Sequence, residues 1–339
     1  MSTGHKEEYA ELLTQHTDMM QVQLDLVQIG QIMASDTAPN VVGSEDLQEQ
    51  ALQGLTSAGR GLFSVARWVG GKALDGFVTV ITAAGNGLSN LFASNERLIG
   101  NVLSDVGKVD GKELAVPAKK IALITAKGDP DQIRHDLDTL ISTLETFNKH
   151  SKDLLDHLDK ELVTLKKLKS VKTSEQVHAI IDEFTGLHYP AMAFGNKSGD
   201  TVKSDVLPGG RVFVFTHKDG QVPTYGITGE TAEGEGKTLT LSKSEISEIL
   251  NKLQKVNALH ERVKASYGNY LKFIKSWGDM VKGVDGNLSQ ADQVSKTVIG
   301  EAEKLMAGNM GALAFYSGFT PRVVGYADKY IHGVLGVFA

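Results

Sequence analysis

The fold is decided by residues 131–169, whose sequence is DQIRHDLDTLISTLETFNKHSKDLLDHLDKELVTLKKLK. Apolar residues recur in it every three or four positions, the spacing of one face of an α-helix. Acidic residues near the start and lysines near the end complement the helix dipole. The pattern predicts one helix of roughly 55–60 Å, a length typical of a bundle or stalk. The stripe consists of Ile133, Leu137, Leu140, Ile141, Leu144, Phe147, Leu154, Leu155, Leu158, Leu162, Leu165 and Leu168.

A second helix of similar length is predicted to begin behind Ser242. Ser242 and Glu245 have the spacing of a capping box, in which each side chain binds the other residue's backbone N–H. Apolar residues then continue at helical spacing to about residue 288. A shorter helix is predicted from Ser174 to Leu187. We expect the two long helices to lie antiparallel, because this is the simplest connection between them.

The spacing of apolar residues changes from helical to strand-like between the two long helices, over residues 188–241. Three stretches are strand-like: Arg211–His217, Gln221–Ile227 and Lys237–Leu241. They predict a small β-meander inserted at one tip of the helix pair. The predicted fold class is therefore mainly α: an elongated helical hairpin or bundle with a small inserted antiparallel β-meander.

The N-terminal third is predicted to be helical, over residues 5–34 and 46–58, and contains one long uncharged segment. Residues 76–95 carry no charged side chain and would be long enough to span a membrane. Several asparagines and threonines interrupt the segment, and each would need a hydrogen-bond partner in lipid. We therefore interpret it as a helix buried against protein. Its expected packing residues are Phe77, Ile81, Leu91 and Phe92.

The C-terminal part is predicted to contain a helix over residues 289–307 and then a tail rich in glycine and aromatic residues. An apolar tail of this kind is expected to pack internally or against a neighbouring subunit. Its expected interaction residues are Phe315, Tyr316, Phe319, Tyr330 and Phe338. The sequence thus divides into an N-terminal region (1–127), a long hairpin (128–288) and a C-terminal region (289–339).

Composition excludes several kinds of site. The 339 residues include no cysteine, which excludes disulfides, thiolate metal sites and cysteine nucleophiles. The formal net charge of −6 argues against a dedicated nucleic-acid-binding protein, so direct DNA contact is only weakly supported. Five lysines between Lys160 and Lys172 share a helix end, where they are better explained by the helix dipole than by DNA.

Two motifs could carry chemistry, and neither is convincing. Residues 231–238 resemble a phosphate-binding loop, but Glu233 and Glu235 would repel a polyphosphate, and Lys237 leads into a strand instead of a helix. His150, Asp153 and His157 share one helix flank and could ligate a metal, but no fourth ligand is evident. The sequence therefore predicts a protein that is not an enzyme and has no cofactor and no metal.

The layout of the chain resembles a known family. An N-terminal helix, an apolar segment ending in Leu91–Leu98, a long helix, a Leu207–Arg211 stretch leading into a hairpin, and a second long helix follow one another. This order resembles the internal head proteins of large contractile-tailed bacteriophages. The resemblance implies a non-catalytic structural or assembly protein of the virion, made in the host cytoplasm. Its partners would be other virion subunits or further copies of itself.

A helical pore-forming toxin component is the alternative. In such toxins an apolar segment is hidden in the soluble form and inserts into membranes. Residues 76–95 are the candidate segment, whereas the hairpin carries Arg211, His217, Lys218 and Asp219, unlike an apolar membrane tongue. Contact with a membrane is expected only under this alternative.

Overall fold

The structure is a computed structural model that describes residues 111–116, 118–184, 189–218, 223–229, 237–288, 290–291 and 293–338. The predicted N-terminal helices and the uncharged segment 76–95 lie outside the described residues. So do Phe77, Ile81, Leu91 and Phe92.

Five α-helices account for most of the described chain. They are α1 (Ala118–Ile124), α2 (Ile133–Lys166), α3 (Ser174–Glu183), α4 (Lys243–Leu288) and α5 (Lys296–Phe338). Short 3₁₀ turns precede and follow α2, at Pro130–Gln132 and Lys167–Ser170. The two long helices predicted from the apolar stripes are confirmed, and α3 is four residues shorter than predicted.

The two long helices run parallel, so the expected antiparallel hairpin is wrong. Arg134 near the start of α2 pairs with Glu248 near the start of α4. At the other end, Asn287 Nδ2 donates a hydrogen bond to the carbonyl of Leu168 just beyond α2. Residue numbers therefore rise in the same direction along both helices. After α2 the chain returns through α3 and a β-sheet to the level at which α2 began, and α4 starts there. An apolar stripe gives no information about such a connection.

Helix α5 packs antiparallel to α2 and α4. It is longer than the helix predicted for the C-terminal part. Its first turns lie beside α3, where Glu301 approaches His178 at 3.7 Å. Tyr316 packs on Phe147, and Gly333 lies against Ile124. The predicted helix ended at residue 307, but α5 continues to Phe338 through Pro321. Glycines and a proline lower helix propensity, and tertiary packing overrides that preference here.

The predicted small antiparallel meander is confirmed, with four strands in chain order. They are β2 (Asn196–Ser198), β3 (Thr201–Lys203), β4 (Val212–Thr216) and β5 (Thr224–Thr228). Strand β4 alternates, so that Phe213 and Phe215 are buried while their neighbours are less so. The buried face of the sheet lies on the helices, and the two faces differ as expected for a half-covered sheet.

The strand predicted at residues 237–241 forms, but its predicted place in the meander is wrong. Strand β6 (Lys237–Ser242) pairs with β1 (Gly111–Val116) in a separate two-stranded antiparallel sheet, in which Leu239 faces Leu114. Strand β6 leads directly into α4. The predicted capping box is confirmed there, because Ser242 N–H donates to Glu245 Oε2 at 2.9 Å and Glu245 N–H donates to Ser242 Oγ at 3.3 Å.

One continuous apolar core joins the three long helices and the meander. Its largest fully buried side chains come from every one of these elements: Trp277, Tyr270, Tyr316, Tyr330, Phe147, Phe213, Phe215 and Phe319. Aromatic residues are only 6% of the chain, yet they fill the space between helices and sheet. Burial of such large side chains is the main source of stability at this interface.

Candidate functional site

The interface between α2 and the meander contains a buried polar side chain, the imidazole of His150. His150 is 2% exposed, and a 3.0 Å hydrogen bond joins its Nε2 to the hydroxyl of Tyr225 on β5. Its ring packs against those of Phe215 and Tyr225 at centroid distances of 5.3 and 5.7 Å. Burial lowers the pKa of His150 to about 4. The imidazole is therefore neutral near pH 7 and acts here as a polar link between helix and sheet.

The structure does not bring the proposed metal ligands His150, Asp153 and His157 together. Asp153 pairs with Lys149 on the exposed side of α2. The ring of His157 packs against Tyr189 at 5.6 Å. Within the part of the chain that the structure describes, no group of three or more potential ligands could hold a metal ion.

Phenols surround this interface and remain protonated. Tyr189 donates a hydrogen bond to Asn309 Oδ1 at 3.0 Å, which ties the segment before the sheet to α5. Burial raises the pKa of Tyr316 to about 12 and that of Tyr225 well above its usual value. Groups with such pKa values do not exchange protons near pH 7, so the cluster is suited to packing and not to acid–base chemistry.

The interaction residues expected from the C-terminal sequence belong to α5. Tyr316, Phe319 and Tyr330 are buried in the common core. The backbone of Phe315 and Phe338 is helical, and their side chains are outside the described part. Sequence reasoning missed the sheet residues that meet these aromatics. Alternation in β4 was the available signal for Phe213 and Phe215, whereas nothing local marks Tyr225 as the partner of His150.

The Leu207–Arg211 stretch, which carried part of the family resemblance, is a meeting point of distant segments. Gly209 N–H donates to the carbonyl of Thr125 at 2.8 Å. The hydroxyl of Tyr326 on α5 donates to the carbonyl of Pro208 at 2.8 Å. The guanidinium of Arg211 donates to the carbonyl of Gly229 after β5 at 2.8 Å. We call this set of contacts the glycine junction.

Glycines are required at this junction for two physical reasons. Gly209 and Gly210 have φ values of 73° and 68°, a region that L-residues with a side chain rarely adopt. Gly229 has φ 107°, and a Cβ built there would lie 2.1 Å from the carbonyl oxygen of Gly210. The two backbones therefore approach more closely than any side chain permits.

Asp136 is a further buried titratable group, and it holds local structure. It is 4% exposed and accepts a 2.8 Å hydrogen bond from the N–H of Ala126. Burial raises the pKa of Asp136, while that hydrogen bond opposes the change. Its contact fixes the turn between α1 and α2, which is a structural role.

The remaining candidates from the sequence are placed as follows. Residues 230–236 lie outside the described part, and Lys237 begins β6. The five lysines of the 160–172 stretch are exposed, with Lys167 paired to Glu183 and Lys169 donating to the carbonyl of Asp279 at 3.2 Å. None of the helices described here has both the length and the apolar character needed to cross a membrane.

Comparison with known proteins tests the resemblance inferred from the sequence. The family model of phiKZ-like phage internal head proteins matches residues 7–334, nearly the whole chain. No curated protein and no solved structure matches. The family match confirms the resemblance, and it gives no support to the pore-forming alternative. The chain belongs to the phiKZ-like phage internal head proteins and is a structural component located in the phage head.

Proposed function

We propose that this protein is a rigid, non-catalytic assembly element that contacts other proteins inside the head. The observation that supports this role best is the continuous core that joins three long helices and a sheet. Helix α4 contains 46 residues, which corresponds to about 69 Å at 1.5 Å per residue. A packed rod of this length presents a long surface whose shape is fixed before any partner binds, which lowers the entropic cost of binding.

The use of polar groups in the core supports the absence of catalysis. His150, Asp136 and Tyr189 are three of the buried titratable groups in the described part of the chain, which also include Glu161 and His260. Each of these three hydrogen-bonds a distant part of the fold, and Asp136 and His150 lie in different clusters. A general acid–base mechanism needs such groups to converge on one substrate position.

The expected partners are other virion proteins or further copies of this chain. We also propose that the chain is organised in three regions, 1–127, 128–288 and 289–339. The N-terminal region would bury Phe77, Ile81, Leu91 and Phe92. The C-terminal aromatics, which include Phe315, Tyr316, Phe319, Tyr330 and Phe338, would stabilise the bundle that carries the contact surface.

Amine cross-linking of intact virions, followed by mass spectrometry, tests this function. Exposed lysines on the outer surface of α2, such as Lys152 and Lys160, are expected to link to other head proteins. Lys252 is the internal control, because its amine lies in the α2–α4 seam at 2.8 Å from Asp138 and should link poorly. Links confined to lysines of the same molecule would contradict the proposed assembly role.

A further inference from the structure

The seam along which α2 and α4 pack side by side changes its electrostatic character from one half to the other. In the first half, cations pair with acids across the seam: Arg134 with Glu248, Lys252 with Asp138 and Lys255 with Glu145. The second half carries four exposed lysines, none of which forms an ion pair within the part of the chain that the structure describes. We call them the lysine patch: Lys166 and Lys169 at the end of α2, and Lys272 and Lys275 on α4.

The fold brings the two pairs of lysines together on one side of the rod. The amine of Lys169 donates a hydrogen bond to the carbonyl of Asp279 on α4 at 3.2 Å. Around α4, at roughly 100° per residue, Lys272 and Lys275 lie only about 20° and 40° from Asp279. The seven residues from Lys272 to Asp279 correspond to about 10 Å along the rod. The parallel direction of the helices is essential, because an antiparallel pair would place the end of α2 beside the start of α4.

The helix dipole explains only the half of the patch that belongs to α2. Lys166 and Lys169 lie at the end of that helix, where cations are favourable. Lys275 lies 13 residues before α4 ends at Leu288, more than three turns away, whereas the effect of the dipole is confined to the last turn. Over residues 262–284, α4 contains five basic residues and one acid, Asp279. Acids at helical spacing would have stabilised this helix, so its positive surface needs another explanation.

The composition of the patch indicates what kind of anion it fits. Lysine is depleted at protein–protein interfaces, whereas lysine and arginine make most contacts with the phosphates of nucleic acids. The ammonium group is a point charge on a flexible stem, which suits phosphates whose positions vary. We propose that the lysine patch binds the phosphate backbone of duplex DNA, the polyanion that a phage head encloses, without reading its sequence. The net charge of −6 confines this contact to one surface of the chain. The proposal does not depend on the contacts with other head proteins.

The salt dependence of DNA binding tests the patch. Fluorescence anisotropy of a labelled duplex of random sequence, titrated with the full chain at several salt concentrations, gives the slope of log K against log salt. Four phosphate contacts predict a slope of about −3.6, because each contact contributes about −0.9. The double variant Lys166→Gln with Lys275→Gln should reduce the slope to about −1.8 and weaken binding to every duplex alike.

Lys252→Gln with Lys255→Gln is the matched control, since it removes the same charge from the same helix pair at positions that have acidic partners. This control should keep the slope of the wild-type chain. Equal changes in both double variants would mean that only net charge matters, and they would overturn the proposal. The absence of salt-dependent binding by the wild-type chain would overturn it as well. Links from the patch lysines to acidic residues of another head protein in virions, without DNA binding, would assign the patch to a protein partner instead.

Formaldehyde cross-linking of the wild-type chain to the same duplex is a second test that needs no substitution. Mass spectrometry of the digested complex identifies the lysines that were joined to DNA. We expect adducts at Lys166, Lys169, Lys272 and Lys275, and few at Lys252. Adducts distributed evenly over the exposed lysines, or confined to lysines outside the patch, would overturn the proposal.

Discussion

The seam between α2 and α4 and the interface between the helices and the meander are held together by different means. Along the seam, apolar stripes meet and exposed ion pairs border them, such as Lys252 with Asp138 at 2.8 Å and Lys255 with Glu145 at 3.1 Å. The sheet interface instead depends on aromatic rings, one buried histidine and the glycine junction. The comparison shows that the seam consists of many contacts, each of which can be replaced at little cost. The sheet interface depends on a few positions, and at each of them only one type of residue fits.

The largest effect is expected from removing an aromatic ring from the sheet interface. Phe213→Ala deletes a fully buried ring that contacts Phe319 and Tyr326 of α5 at centroid distances of 5.7 and 5.8 Å. It should lower the free energy of unfolding by about 4 kcal/mol, because transfer and cavity terms add. Val163→Ala on α2 is the control, since Val163 is 58% exposed and its loss should be nearly neutral. Urea titrations measure both, and equal effects would contradict the buried position of Phe213 in the sheet interface.

The next effect concerns the glycine junction. Gly229→Ala forces a side chain into φ 107° and against the carbonyl oxygen of Gly210, so we expect a loss of about 3 kcal/mol from strain and displacement. Gly226→Ala, three residues earlier in β5, is the matched control, because a Cβ there meets nothing within 4 Å and its φ is not positive. Comparable unfolding midpoints for the two variants in urea would contradict the close approach of the two backbones.

The contrast between the helix seam and the sheet interface also explains which parts of the fold the sequence predicts. Periodicity is a local signal, and it located α2, α4 and the capping box at Ser242 correctly. The relative direction of α2 and α4 is not a local property, because the apolar stripes are compatible with parallel or antiparallel helices. Only contacts between the helices, such as Arg134 with Glu248, distinguish the two arrangements. The partner of β6 was missed because β1 is short and lies more than 100 residues earlier. The His150–Tyr225 link is invisible for the same reason, since it depends on two segments 75 residues apart.

Acid should weaken the sheet interface through His150. The folded-state pKa of about 4 lies below the unfolded value of 6.5, so the unfolded chain binds the proton more readily. The stabilisation due to neutral His150 is complete above pH 6.5 and is lost as the pH falls towards 4. Between pH 7 and pH 5 this corresponds to about 2 kcal/mol. The variant His150→Phe should lose about that much of the difference in unfolding free energy between the two pH values.

Exposed His135 on α2 supplies the control for this titration. His135→Phe makes the same substitution on the same helix at a position outside the sheet interface. Urea titrations at pH 7 and pH 5 give the required free energies for all three proteins. An unchanged pH dependence in His150→Phe would show that the imidazole is not held neutral by its position against the sheet.

The smallest effect is expected along the helix seam, and it tests what sets the direction of the two helices. Lys252→Met removes the amine that binds Asp138, and partial solvent exposure of this pair limits the expected loss to below about 1 kcal/mol. A double-mutant cycle with Asp138→Asn isolates the pair, and its coupling should fall as salt is added. The seam contains several such pairs with similar sequence offsets, from 110 for Glu145 with Lys255 to 114 for Asp138 with Lys252, and such a series can form only when the helices run parallel. Several weak ion pairs that all require the parallel arrangement can therefore determine the relative direction of the helices, which the apolar stripes leave open. A coupling energy above about 2 kcal/mol between Lys252 and Asp138 would contradict this view. The seam would then depend on single positions, as the sheet interface does.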